Sequence, residues 1–313
     1  MNSVGIVSSA ITLSNMFQDF INRDEISPFT RDKYFYRLRP FIATHGQKTA
    51  AEIKTDMLAS YINAQTQLSD PSKALLRGCF HALFAFCGLG DDNPAKALPR
   101  WRETPRRVHL PQEDGVKLAL KTAVSMTQEK RPSDIRDGLI FALAVVSGNR
   151  RGELRNLPLA DLQEAMQAPH ETKQGTVYRV YTAGKTGEAV CRFTGFHRPL
   201  FDRYLSVRPD TSDSHVFVNL NPTHENYGQQ LSLVAFDRVR PKVCKRAGVD
   251  VITYQELRRR LATVIARSDG VDVAALLLNH SPHSGDRVIR AYYFDPDRAA
   301  ADSAAALAFG GAL

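Results

Sequence analysis

Leu13, Met16, Phe17, Phe20 and Ile21 recur at the i, i+3, i+4 spacing of one buried helical face and predict a first helix. Ser27-Pro28 then supplies a capping hydroxyl followed by proline at the first helical position, and Tyr34, Leu38, Phe41 and Ile42 extend an apolar stripe to Gly46. A third helix is predicted through Ile53, Met57, Leu58, Tyr61 and Ile62. The fourth opens at Asp70-Pro71, runs through Leu75, Cys79, Leu83 and Phe86, and stops at Gly88 and Gly90. Residues 1–90 are therefore expected to form a compact four-helix domain.

Residues 91–109 carry three prolines and no periodicity, which predicts an extended basic linker. From 110 to 313 the pattern is mixed. Leu139, Ile140, Leu143, Ala144 and Val146 mark a buried helix ending near Gly148. Val177 to Thr182 alternate as a strand, Ala189 to Thr194 make another, and Gly184 to Gly187 form the turn of a β-hairpin. His215 to Leu220 is expected to add a strand, and helices dominate from Leu231 onward. The fold class is thus mainly α with a small β-sheet, in two domains.

Composition narrows the partners. The chain has 313 residues, 43% of them apolar and 24% charged, as in a soluble globular protein. No apolar run is long enough to span a bilayer and the N-terminus lacks signal-peptide character, so the expected location is cytoplasmic with no membrane partner. Cys79 and Cys87 sit about 12 Å apart on one helix, beyond disulfide reach. Cys191 and Cys244 stand alone, with no metal knuckle. A net charge of +8 favours an acidic polymer as partner. The clustering says more: Arg100, Arg102, Arg106 and Arg107 share one segment, and Arg258, Arg259 and Arg260 are consecutive.

Four separated pieces carry candidate chemistry. They are Ser147-Gly148-Asn149-Arg150-Arg151-Gly152-Glu153-Leu154; Lys185 at the hairpin tip; Thr253-Tyr254-Gln255-Glu256-Leu257-Arg258-Arg259; and Leu278-Asn279-His280-Ser281 followed by Tyr292-Tyr293. Their order and chemistry resemble the catalytic domain of tyrosine recombinases of the phage-integrase type. That family shows a T-G-x-R-x-x-E-L box, a hairpin lysine, an H-x-L-R box, an L-G-H-S box and a nucleophilic tyrosine near the C-terminus. Thr30, Tyr34, Leu38 and Phe41 likewise resemble the pattern of the family's core-binding, DNA-binding domain.

The resemblance implies a site-specific recombinase that cuts and rejoins duplex DNA through a 3′-phosphotyrosyl intermediate without ATP or metal. Substitution at a phosphodiester passes through a more highly charged state, which the planar forks of Arg150 and Arg258 suit. Lys185 would protonate the leaving 5′-oxygen, His280 would donate to the phosphate or carry a proton, and Glu153 would orient its neighbours. Tyr292 is the expected nucleophile. Tyr293 is its rival, and helical geometry lets only one of the two face the arginines. The short apolar run Val288 to Ala291 selects Tyr292. Arg100, Arg102, Arg106, Arg107, Arg151 and Arg259 are expected to contact DNA. The implied assembly is a homotetramer at synapsis, with room for accessory DNA-bending proteins. The alanine-rich Ala299–Ala308 segment is expected to be a tail helix docking on a neighbour.

The chain also departs from the family pattern. Gln255 stands where histidine is usual, and an amide can hydrogen-bond phosphate but cannot act as a base. Asn279 replaces the common glycine, and the span from His280 to Tyr292 is about three residues longer than usual. Other readings of these residues are weaker. Gly184-Lys185-Thr186 ends like a P-loop, but the first glycine would fall on Arg179. His280, His283 and Asp286 could hold a divalent ion but lack a fourth ligand. A type IB topoisomerase, or a DNA-binding regulator with impaired chemistry, remains an alternative on the same residues.

Overall fold

The computed structural model describes residues 11–101, 110–173, 175–184 and 187–279. The chain divides into two compact units, Met1–Pro105 and Arg106–Leu313. In the first, α1 (Leu13–Ile21) starts under Thr12, whose hydroxyl accepts from the Asn15 N–H at 3.3 Å. Ser27 caps α2 (Pro28–His45) in the same way, from the Thr30 N–H at 3.3 Å. α3 (Thr55–Ala64) and α4 (Asp70–Phe86) complete the layer. Phe17, Phe20, Leu38, Phe41, Leu58, Ile62 and Phe80 fill the core, with the Phe41 and Phe80 rings meeting edge-on at 4.9 Å.

Two expectations for this unit need correction. The buried face of α4 is carried by Leu76, Cys79, Phe80, Leu83 and Phe84, whereas Leu75 is 39% exposed. The apolar positions fit two faces offset by one residue, and packing selects the one with two phenylalanines. The segment expected as an extended linker is, over residues 91–101, folded onto the first core: Ala95 and Leu98 are buried in it and Trp101 packs against it. Asn93 locks the turn, donating to the His81 carbonyl and accepting from the Ala95 N–H, both at 3.0 Å. Pro94 and Pro99 preclude a helix here but not burial. Residues 102–109 lie outside those described.

The second unit begins with α5 (Glu113–Met126), α6 (Pro132–Ser147), α7 (Arg151–Arg155) and α8 (Leu159–Gln167). Three antiparallel strands follow in the order β1 (His170–Thr172), β2 (Gly175–Gly184) and β3 (Gly187–Thr194). α9 (Arg198–Leu205), α10 (Leu233–Asp237), α11 (Val239–Ala247), α12 (Tyr254–Ser268) and α13 (Val271–Leu277) complete it. The hairpin closes as predicted, with Gly184 opposite Gly187. Tyr178 stacks on Phe193 at 4.8 Å and Phe193 meets Phe201 at 4.7 Å, which seats one face of the sheet on α9. His215 to Leu220 forms no strand. Val216, Phe217 and Val218 are buried, but the segment pairs only through isolated bridges, Pro158 with His215 and Val218 with Gln230. Among the described residues no helix is long and apolar enough to cross a membrane.

α6 is the axis of this unit, buried on almost every side from Asp134 to Ala144. Gly138 lets it approach α5, since a Cβ there would come within 2.3 Å of the Ala123 carbonyl. Its charged first turns are answered from α11. Lys242 Nζ lies 2.5 Å from both Asp134 and Asp137, and Arg246 spans Glu129 at 2.7 Å and Asp134 at 3.0 Å. Burial pushes the Asp134 carboxyl up, but hydrogen bonds from Lys242 and Arg246 more than offset this and bring it down to about 2. A folded pKa below the usual value near 4 means this stabilisation is complete above about pH 4 and is lost as pH falls through about 2. Urea unfolding between pH 5 and 2 should show stability falling with acid, and Asp134→Asn should flatten that slope while lowering stability near neutral pH.

Candidate active site

The end of α6 sets the first candidate residues. Gly148 closes the helix at φ +61°, and a Cβ there would meet the Leu261 and Leu278 side chains at 2.7 Å. The chain then turns through Asn149 and Arg150 into α7. Glu153, 2% exposed, accepts from the Arg150 N–H at 2.8 Å, the Arg150 Nη1 at 2.7 Å and the Asn149 Nδ2 at 3.1 Å. One buried carboxylate thus fixes both the backbone and the fork of Arg150. The arginine side chain keeps 36% of its surface exposed, so the rest of its fork can meet an anion from outside.

Arg258 enters from the first turns of α12, which Thr253 caps through the Glu256 N–H at 3.1 Å while Glu256 returns to the Thr253 N–H at 2.7 Å. It is 1% exposed. Its Nη1 donates to the Gly148 carbonyl and its Nη2 to the Leu278 carbonyl at 2.5 Å. One guanidinium thereby joins the segment that leads into Arg150 to the segment that leads into His280. Gln255 is exposed on the first turn of the same helix.

Sequence reasoning missed the hub beside these arginines. Asn279 has φ +54°, the one positive value among described non-glycine residues, in a region asparagine tolerates better than most side chains. Its amide accepts from the Val190 N–H at 3.1 Å and donates to the Val190 carbonyl at 3.0 Å, pairing with the free edge of β3 as another strand would. Asn149 Nδ2 donates to that same carbonyl at 3.3 Å. Thr182, buried on β2, donates to the Glu153 and Asn156 carbonyls at 3.2 Å. The Arg150 segment, the hairpin strands and the residue preceding His280 are thus held on one frame. The only signal in the sequence was an asparagine where a glycine is common.

The remaining expected residues divide. Arg151 is ion-paired with Asp237 at 2.5 Å, a partner 86 residues away, so much of its charge is answered within the protein. Arg259 is partly exposed on α12, and Arg100 is exposed in the first unit. Lys185, His280, His283, Asp286, Tyr292, Tyr293, Arg102, Arg106, Arg107 and Ala299–Ala308 lie outside the described residues. Burial pushes the Cys191 thiol up to about 12, which leaves it inert. Tyr204 and Tyr254 are buried, and their hydroxyls donate to the Val216 carbonyl at 2.8 Å and the Phe236 carbonyl at 3.2 Å. Burial raises both phenols, Tyr204 to about 12.

Residues 116–293 match the sequence profile of the phage integrase family. A protein of Sinorhizobium fredii named as a candidate integrase/recombinase is 28% identical over 210 residues, which cover 64% of this chain and 45% of that protein. The chain thus spans less than half the length of this relative. Among solved structures, the XerH site-specific recombinase bound to a palindromic difH substrate after cleavage is similar at a TM-score of 0.66 and 16% identity, covering 95% of this chain and 85% of that one. A lambda integrase tetramer bound to a Holliday junction is similar at 0.64 and 16% identity, covering 90% and 78%. At such identities these likenesses establish the fold.

Proposed function

The chain belongs to the phage integrase family, and we propose on that footing that it is a site-specific recombinase cleaving and rejoining duplex DNA through a 3′-phosphotyrosyl intermediate. What supports the reading most is Arg258, a buried guanidinium fastened to both the Gly148 and Leu278 carbonyls. A fixed cationic fork in a water-poor site is what the charge of a pentacovalent phosphate requires. Arg150, oriented by Glu153 and partly open, is the second fork. Tyr292 supplies the nucleophile. Lys185 protonates the leaving 5′-oxygen, His280 donates to the phosphate or carries the proton, and Gln255 serves as a hydrogen-bond donor. The first unit and the arginines of residues 100–107 would supply sequence-independent affinity, and four protomers would assemble on two duplexes.

The test is covalent trapping on a nicked suicide substrate carrying the cognate site. A protein–DNA adduct that survives denaturant is expected, at an unchanged rate in EDTA, because arginines and not a metal carry the phosphate charge. Loss of the adduct in EDTA, restored by magnesium or zinc, would count against this mechanism. Site-specific binding with no adduct would favour a DNA-binding regulator, as Gln255 in place of histidine would suit.

A further inference from the structure

The open face of the sheet carries charge that the proposed chemistry does not use. Tyr178, Val180 and Thr182 of β2 and Ala189, Cys191 and Phe193 of β3 are buried. The alternate positions face the other way in register: Val177 opposite Thr194, Arg179 opposite Arg192, Tyr181 opposite Val190, and Ala183 opposite Glu188. Two arginines therefore stand as direct cross-strand neighbours, an arrangement of like charges that weakens a sheet. Neither forms an ion pair with an acidic residue among those described. Glu188, on the same face, is four residues from Arg192, about 13 Å along the strand. Elsewhere in this unit Arg136, Arg150, Arg151, Arg198 and Arg246 all have carboxylate partners. Arg192 is half-buried, and its shielded Nη1 has no hydrogen-bond partner. Burial first, and Arg179 second, pull its pKa down. The fold thus holds a like-charge pair, Arg192 half-buried and Arg179 exposed, where a polar or opposite-charge pair would serve it better.

We propose that this face is a second phosphate-binding surface, on which Arg179 and Arg192 take the backbone of duplex DNA away from the cleavage point. The inference rests on the DNA reading above. A phosphate diester set between the two forks supplies the missing counter-charge and relieves the repulsion, and paired guanidiniums suit its oxygens. Tyr181, 47% exposed and two residues nearer the hairpin tip, offers a hydroxyl to the adjoining phosphate. Strands rise by about 3.3 Å per residue, so Arg179 lies about 17 Å from Gly184 at the end of β2, roughly five steps along a DNA strand. Phosphates bound that far out would set the hairpin's register on the duplex without taking part in bond breaking.

The experiment uses Arg179→Glu, with Arg192→Glu as its reciprocal, in the full chain. Each replaces the like-charge pair by an ion pair, so the melting temperature should rise or hold. Affinity for a 40-base-pair duplex should meanwhile fall about tenfold, and the salt slope should drop by roughly one for each phosphate no longer neutralised. Raised stability with unchanged affinity and slope would overturn the proposal. A lowered melting temperature with unchanged affinity would also overturn it, since the arginines would then be structural. Wild-type protein run in parallel on the suicide substrate separates the two claims. If it forms the covalent adduct while the variants bind like wild type, only the sheet-face proposal fails; if it binds no duplex at all, the DNA reading itself fails.

Discussion

Tyr292→Phe is expected to abolish the covalent protein–DNA adduct while leaving duplex binding close to wild type. Only one oxygen is removed, and that oxygen is the proposed nucleophile, so no slower chemistry on the same side chain can replace it. Nor can Tyr204 or Tyr254 in the core of the second unit stand in. Tyr204 and Tyr254 are buried with their hydroxyls committed to backbone carbonyls, and burial makes both harder to ionise. Tyr293→Phe should keep the adduct, because the proposal puts the attacking oxygen on Tyr292 alone. The assay is denaturing electrophoresis of a labelled suicide substrate, with binding followed separately by mobility shift. An adduct retained by Tyr292→Phe and abolished by Tyr293→Phe would move the nucleophile one place along the long span after His280.

The helices with clear caps were legible in the sequence. Ser27-Pro28 opens α2, Gly148 closes α6, and glycines flank the hairpin, because each signal is local and chemical. α5 was not legible: it opens at Gln112 without a side-chain cap and closes at Thr127 without a glycine, so no local chemical signal marks its ends. His215 to Leu220 looked like a strand because buried residues in a row resemble one whether their backbone forms a continuous ladder or, as here, only isolated bridges to two different segments. The candidate site divides in the same way. Arg150 and Glu153 could be read from spacing, since they meet within one turn. The Asn149–Val190–Asn279 hub could not, because half of each bond is a backbone group, which every residue possesses. The ion pair of Arg151 with Asp237 could not be read either, since only the fold brings that partner near.

Arg258→Ala should be the most damaging change among the described residues, slowing single-turnover cleavage by more than about a hundredfold and destabilising the fold as well. The catalytic part is the usual cost of removing a preorganised donor from a transition state. The structural part follows from position. Arg258 is 1% exposed, and its fork satisfies the Gly148 and Leu278 carbonyls together. Deleting it leaves both without that donor at a cost of about 1–3 kcal/mol each. It also unties the Arg150 segment from the residue that precedes Asn279, so geometry is disturbed on two sides at once. Arg258→Lys separates the contributions. It keeps the charge, but a single ammonium on a flexible stem cannot reproduce a rigid planar fork reaching two carbonyls. Its stability should fall between wild type and the alanine variant, while cleavage stays at least about tenfold below wild type at saturating DNA. Unfolding curves and single-turnover rates measured on the same preparations decide the matter. If Arg258→Lys cleaved at the wild-type rate, the fork would be dispensable to the chemistry, and Arg258 would be a structural clamp leaving Arg150 as the phosphate's arginine.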